Sequence, residues 1–176
     1  LKTKTLIIVH KGFLLDQWTE RIQQFLPNTR VGRIQGQIID IEDEEVGSAM
    51  QISIFLSIFN VHSQRVPISS KVISKQYNPG IFIMAFQHKA SVDNENTLVL
   101  FETQNGKRYK IKQIAGFIAR RILNYMVPES LVQRGQRLGF IRFGSRVDII
   151  LPRDFQIDVS LGDMVQGNKT IIGQFQ

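Results

Sequence analysis

Apolar residues near the start of the chain recur with the period of a helix. Residues 5–9 form a short apolar run, and four apolar side chains follow at i, i+4, i+8 and i+11, namely Leu14, Trp18, Ile22 and Phe25. That spacing places them on one helix face, and Pro27 ends the helix. With residues 29–34 as a second strand, the pattern predicts a short β-α-β segment.

From Gln51 onward the pattern changes to short apolar, β-branched runs separated by turn signals. These signals are Asn78-Pro79-Gly80, Asn105-Gly106, Arg134-Gly135, Leu161-Gly162-Asp163 and Gln166-Gly167-Asn168. Runs punctuated in this way predict a mainly β fold with antiparallel strands. Residues 159–172 contain the Gly-Asp-x-Val-x-Gly pattern and resemble a hairpin of lipoyl-carrier-like folds.

Bulk composition narrows the class of protein. The chain has 176 residues, 43% of them hydrophobic and 21% charged, which is typical of a globular core. It has no cysteine, so disulfides and thiolate metal sites are excluded. The apolar runs around residues 52–59 and 81–86 are far shorter than the roughly 20 residues that cross a bilayer. We therefore predict no membrane-spanning segment and no metal site.

Positive charge is concentrated in the middle of the chain. Residues 46–144 hold 13 Lys and Arg against 4 Asp and Glu, whereas residues 1–45 hold 6 against 7 and residues 145–176 hold 3 against 4. The middle part therefore carries a net charge of +9. Such a surface attracts an anionic lipid leaflet or nucleic acid, and charge alone does not distinguish the two.

The segment Arg142-Phe143-Gly144-Ser145-Arg146 places a Gly-Ser bond within an apolar run. Upstream of it stand Ile52-Ser53-Ile54-Phe55, Asn60-Val61-His62, Tyr77-Asn78-Pro79-Gly80, Asp93-Asn94-Glu95-Asn96 and Gln113-Ile114-Ala115-Gly116. In order and spacing, residues 48–176 resemble the short bacterial and archaeal type of phosphatidylserine decarboxylase proenzyme. The resemblance also implies that residues 113–126 are largely strand.

The resemblance implies a lyase that makes its own cofactor, a pyruvoyl group derived from Ser145. The Ser145 hydroxyl attacks the Gly144 carbonyl, an N-to-O acyl shift follows, and elimination and hydrolysis leave the pyruvoyl group. A β chain of residues 1–144 and an α chain of residues 145–176 then form a heterodimer. A ketone that reacts with the substrate amine acts as the electron sink of decarboxylation.

Two kinds of residue are expected to assist self-cleavage and decarboxylation. Serine needs a base to become a nucleophile, and His62 matches the family's Asn-Val-His motif, which implies that it donates and accepts protons. Arg65 and His88 are candidates for substrate binding, Arg65 toward a phosphate or carboxylate. The implied substrate is an anionic phospholipid, at the cytoplasmic face of the cell membrane as a peripheral surface, with no nucleic acid expected.

The N-terminal part departs from the family. Residues 1–45, through Ile8-Val9-His10-Lys11, Gln17-Trp18 and Ile34-Gln35-Gly36, resemble a fragment of a superfamily II DNA-repair helicase, without the phosphate loop needed for ATP hydrolysis. We therefore predict two domains, 1–47 and 48–176. The family's Pro-Ala-Asp-Gly motif corresponds to residues 33–36, with Gln35 at the aspartate, and its usual arginine corresponds to Asn96. Both departures predict slow or absent self-cleavage.

Three further functions are compatible with these residues. The chain is alternatively an archaetidylserine decarboxylase, which differs in the lipid backbone alone, a catalytically impaired relic that binds lipid, or a nucleic-acid-binding helicase fragment. Self-cleavage separates an enzyme from a relic. Salt-sensitive binding to DNA, without binding to anionic vesicles, would indicate the fragment.

Overall fold

The structure is a computed structural model, and it describes residues 38–56, 62–83, 90–117, 121–141, 145–160, 163, 165–167 and 169–176. The predicted β-α-β segment and the sites at Gln35, His88 and Gly144 lie outside the described residues. Within them the chain is mainly β with antiparallel pairing, as predicted. One helix of four residues, α1 (Ala90–Asp93), is present in this part.

Twelve strands form three sheets in the described residues. They are β1 (Ile38–Asp43), β2 (Gly47–Leu56), β3 (Ser63–Arg65), β4 (Ser70–Asn78), β5 (Asn96–Thr103), β6 (Arg108–Ile114), β7 (Ile122–Asn124), β8 (Leu131–Val132), β9 (Arg137–Ile141), β10 (Ser145–Pro152), β11 (Phe155–Ile157) and β12 (Gly173–Phe175). Residues 113–114 and 122–124 are strand, whereas residues 115–117, 121 and 125–126 are neither strand nor helix, so in the described part of the range 113–126 strand occurs only near the two ends.

The largest sheet has seven strands in the order β1-β2-β10-β6-β5-β4-β8. Strand β10 lies inside it: residues 145–152 pair with β2 on one side, and residues 146–150 pair with β6 on the other. All of β10 except Pro152 is buried, because neighbours cover both edges and both faces. Strand β1, which pairs with β2, places residues 38–43 in this same sheet.

A three-stranded sheet, β3-β9-β7, packs against the large sheet. Leu138 and Ile141 of β9 belong to the same buried cluster as Ile111 of β6 and Val147 of β10. Burying apolar surface of this kind contributes about 25 cal/mol per Å². Strand β9 of the small sheet ends at Ile141, four residues before Ser145 at the start of β10.

Two of the predicted turns join consecutive strands in the described residues. Gly106 joins β5 to β6 with a φ of 74°, and Gly135 joins β8 to β9 with a φ of 82°. Both values lie in the left-handed region that glycine adopts without a steric penalty. At the end of the chain, β11 pairs with β12 around residues 158–172. The lipoyl-like hairpin within that segment stays a prediction.

The β1–β2 turn is held by a buried cation. Lys110 of β6 contacts Asp43 and Glu45, with Nζ–O distances of 2.7 Å to each. Burial raises the pKa of Asp43, but hydrogen bonds from Lys110 and from the Glu45 and Val46 amides outweigh it, so this pKa lies below 3.8. The Asp43 carboxylate therefore stabilises the edge of the large sheet.

Candidate functional site

Ser145 begins β10 and is 1% exposed. By the alternation of a strand, its side chain shares a face with Val147 and Ile149, which belong to the apolar core. The Ser145 Oγ is buried, and it has no hydrogen-bond partner among the described residues. A buried hydroxyl without a hydrogen-bond partner costs about 1–3 kcal/mol, so Ser145 lowers the free energy of unfolding by about that amount.

His62 lies immediately before β3 and is 4% exposed. Its carbonyl oxygen accepts hydrogen bonds from the Ile141 amide at 3.2 Å and from Gln64 Nε2 at 2.7 Å. Its ring lies 6.4 Å from the Phe140 ring, between centroids. The backbone at His62 is thus fixed to the end of β9.

Two antiparallel ladders end at the connection from β9 to β10. The β2–β10 ladder ends where Leu56 is paired with Ser145, and the bond from Ile141 to His62 extends the β3–β9 ladder. Ile141 and Ser145 are four residues apart, which limits their Cα separation to about 14 Å. The His62 backbone is therefore hydrogen-bonded to the residue that lies four positions before Ser145.

A buried chain of amides supports the backbone of His62. Gln64, which bonds the His62 carbonyl, accepts a hydrogen bond from Gln113 Nε2 at 2.8 Å, and Asn124 Nδ2 donates to Gln113 Oε1 at 2.8 Å. Gln113 is fully buried and opposes Val147 in the β6–β10 ladder. The chain of hydrogen bonds thus links His62 to the strand beside Ser145.

Gly139 is required by this arrangement. A Cβ at that position would overlap the Leu123 carbonyl oxygen and the Gln113 side-chain amide. The sequence analysis assigned no role to Gln64, Gln113 or Asn124. Buried glutamine and asparagine have no periodic signature, so the sequence alone offered little to identify them.

The opposite face of β10 contains a buried ion pair. Arg146 is 2% exposed and Asp148 is fully buried, with 2.5 Å between Nε and Oδ1. Arg146 also donates to Ser53 Oγ at 2.7 Å, and its guanidinium lies 5.3 Å from the centre of the Phe55 ring. Charged side chains are almost never fully buried unless paired. Arg146 follows Ser145 directly in β10, and Asp148 is two residues further along the same strand. The sequence analysis assigned no role to either residue.

Asp148 faces a second cation across the sheet. Lys112 of β6 is paired with it in register, and burial lowers the pKa of Lys112 while Asp148 opposes that shift and Arg146 adds to it. One carboxylate therefore offsets two positive charges next to the predicted cleavage site.

Arg65, predicted to bind substrate, is exposed at the end of β3. Its guanidinium donates to the Gly135 carbonyl at 2.8 Å, and a register shift between Gln64 and Arg65 places it opposite Arg137. The structure thus brings Arg65 to the small sheet that also holds His62.

The Asp93-Asn94-Glu95-Asn96 motif has a structural role in the described residues. Asn94 is fully buried, and its amide donates to the carbonyls of Ile83 and Ala115 at 2.7 Å. Asn96, at the family's arginine position, accepts from Asn78 and donates to the Asn94 carbonyl. In this chain an amide network therefore occupies that position.

The described residues contain no group of three or more His, Cys, Asp or Glu that could bind a metal. No helix in the same part of the chain has the length and hydrophobicity that a membrane crossing requires.

Within the described residues, fold and site define a β protein with a buried, unpartnered serine at the start of a central strand and a buried histidine just before β3. The sequence profile of the family described as phosphatidylserine decarboxylase matches residues 17–173. A phosphatidylserine decarboxylase proenzyme of Desulfotalea psychrophila is 42% identical over 153 residues, which cover 84% of this chain and 72% of the relative. One of Burkholderia cenocepacia is 42% identical over 154 residues, 85% and 72% of the two chains.

The chain belongs to the phosphatidylserine decarboxylase family. No solved structure shows significant similarity to it. The family match begins at residue 17, so it includes much of the segment that resembled a helicase, and it gives that resemblance no support. The division into domains at residue 47 stays a prediction.

Proposed function

We propose that this chain is the proenzyme of a decarboxylase that converts phosphatidylserine to phosphatidylethanolamine, after cleaving itself between Gly144 and Ser145. The observation that carries the proposal is the unpartnered Ser145 hydroxyl in a chain of this family. A hydroxyl that forms no other hydrogen bond is free to approach the preceding carbonyl.

The site fits a pyruvoyl group at position 145. The hydroxyl that would be consumed satisfies no partner, so its loss breaks no hydrogen bond and removes an unmet donor. The space needed is that of the serine itself. When formed, the ketone supplies the electron sink for loss of the substrate carboxylate.

Self-cleavage balances with residues of this chain and one water molecule. Ser145 Oγ attacks the Gly144 carbonyl carbon, the peptide C–N bond breaks, and an ester forms. Elimination of the ester releases residues 1–144 with a C-terminal carboxylate. Water then converts the remaining dehydroalanine to the ketone and releases ammonia. We assign to His62 the removal and return of the protons in these steps, which positioned side chains accelerate by about 10²–10⁴-fold.

The sheet supports the proposal that the two products stay together as a heterodimer. Residues 145–152 are hydrogen-bonded to β2, and residues 146–150 are bonded to β6. Both neighbours would belong to the longer product, so the shorter one would remain a central strand of its sheet. Separation would expose two strand edges and the apolar face of β10.

We place the enzyme at an anionic membrane surface, as a peripheral protein. The net charge of +9 over residues 46–144 favours this location, because each Lys or Arg near such a surface contributes about 1 kcal/mol. An archaeal ether lipid would present the same head group. Parallel assays with the two lipids would distinguish the substrates.

Denaturing mass spectrometry of the purified chain tests self-cleavage. Wild type is expected to cleave slowly and to give fragments of 144 and 32 residues, which together are the 176 of the chain. Ser145→Ala is expected to remain in one piece. A wild-type chain that stays full-length and unmodified after prolonged incubation would refute the proposal.

Turnover is tested in the cleaved fraction with phosphatidylserine in mixed micelles, without added pyridoxal phosphate. Phosphatidylethanolamine and carbon dioxide are the expected products, and borohydride should abolish their formation because it reduces the ketone. His62→Ala should lower turnover by about 10²–10⁴-fold. Activity that survives complete reduction would exclude the pyruvoyl group as the cofactor.

A further inference from the structure

An open groove of about 290 Å³ lies on the outer face of the small sheet. It is lined by Ser63, Leu123, Tyr125, Arg137 and Phe140. One of these residues, Phe140, has its ring 6.4 Å from the ring of His62. The groove therefore begins beside the histidine proposed to transfer protons.

The β7 segment presents apolar side chains to solvent. Leu123, Tyr125 and Val127 are 41%, 50% and 62% exposed, whereas the alternate residues Asn124 and Met126 point inward. Strand alternation places the three exposed side chains on one side of the segment. Adjacent exposed apolar residues of this kind are typical of a binding surface.

Two arginines lie at the end of the same sheet. Arg65 and Arg137 are exposed and directly paired in the β3–β9 register, although like charges at such positions repel. Among the described residues, neither forms an ion pair with a carboxylate. An anion bound between them would remove this repulsion. Arginine pairs bind phosphate with good geometry, because each guanidinium offers a planar fork of donors.

We propose that this groove binds the phosphate and glycerol part of an anionic phospholipid, with Arg137 and Arg65 on the phosphate and Leu123 and Tyr125 against the first methylenes of the acyl chains. The assignment rests on the proposed function and names its lipid site. The acyl chains leave across Val127 into the bilayer, and the head group extends past Phe140 toward His62.

The volume and polarity of the groove agree with this occupant. A space of about 290 Å³ is at the lower end of the range for small-molecule sites, so it holds a phosphoglycerol unit but not whole acyl chains. A soluble acidic ligand would leave Leu123 and Tyr125 exposed to water. A bilayer covers them, and its surface charge attracts the arginines.

Vesicle co-sedimentation with the full chain tests the site. The probes are phosphatidylcholine vesicles with and without phosphatidylserine. Arg137→Gln should weaken binding to the anionic vesicles by about fivefold, the loss expected for one arginine at such a surface. Tyr125→Ser should weaken it by on the order of tenfold, because apolar area is no longer buried.

Two matched variants control for charge and hydrophobicity. Arg153→Gln removes an exposed arginine at the β10–β11 turn, and Leu131→Ser removes a leucine that is 83% exposed on β8, and neither residue lines the groove. Both controls should bind as wild type does. Equal losses in the controls, or wild-type binding by Arg137→Gln and Tyr125→Ser, would overturn the proposal.

The binding result is independent of catalysis. A chain that fails to cleave but loses vesicle binding upon Arg137→Gln would refute the decarboxylase and leave the lipid groove intact. A chain that cleaves normally with binding unaffected by Arg137→Gln would refute the groove alone. In the active enzyme, Arg137→Gln should raise KM for vesicle substrate and leave kcat nearly unchanged.

Discussion

The buried ion pair behind Ser145 predicts a large and selective loss of stability. Asp148→Asn keeps the shape of the side chain but removes its charge, so Arg146 is left 2% exposed with a neutral partner. Removing one partner of a buried pair costs about 3–5 kcal/mol. For a chain of 176 residues, each kcal/mol lowers Tm by about 2–4 °C. We therefore expect Tm to fall by roughly 6–20 °C.

A surface pair serves as the matched control. Arg108 and Glu102 lie 2.9 Å apart, but their side chains are 47% and 32% exposed. Glu102→Gln should cost about 0–1 kcal/mol, because solvent screens such pairs. The contrast between the two variants isolates burial, since the chemical change is similar in both.

Thermal denaturation followed by circular dichroism measures both variants. The double variant Arg146→Met with Asp148→Leu should recover most of the loss, because apolar side chains of similar volume can replace a buried pair. If Asp148→Asn unfolds within about 2 °C of wild type, then water reaches the pair and the argument from burial is wrong.

Three other predictions concern the site and its supports. Replacing residues 1–37 with a family segment that carries Pro-Ala-Asp-Gly, which leaves β1 and Asp43 in place, should speed self-cleavage, by up to about 10⁴-fold if the aspartate orients His62, whereas deleting them should not. Fast, complete cleavage of the unaltered chain, by mass spectrometry, would contradict this. Gly139→Ala should lower the free energy of unfolding in urea by about 1–3 kcal/mol, because its Cβ overlaps the Gln113 amide. Gly167→Ala should leave that free energy unchanged, because its Cβ meets nothing within 4 Å. Because the pKa of Asp43 is lower in the folded chain than its ordinary value of 3.8, the Asp43 carboxylate stabilises the fold above pH 3.8. This contribution is lost as the pH falls through the pKa of the folded state. The free energies of unfolding of Asp43→Asn and wild type should therefore differ at neutral pH and converge in acid.

Local pattern was sufficient for the class of fold. β-branched runs between turn signals predicted antiparallel strands, and the glycines of the β5–β6 and β8–β9 turns have the positive φ that such turns use. The Gly144-Ser145 segment with Asn60-Val61-His62 pointed to the family because these motifs are contiguous in sequence. These properties depend on a residue and its near neighbours along the chain.

Tertiary structure decided which strands pair and what they enclose. No local signal indicates that β10 lies between β2 and β6, because pairing depends on contacts between segments far apart in sequence. The link from Gln64 through Gln113 to Asn124 joins three strands, and the Arg65–Arg137 pair forms across two. Only the folded chain brings these side chains together. The sequence therefore determined the family and the two candidate catalytic residues, and the sheet order determined their supports and the groove beside them.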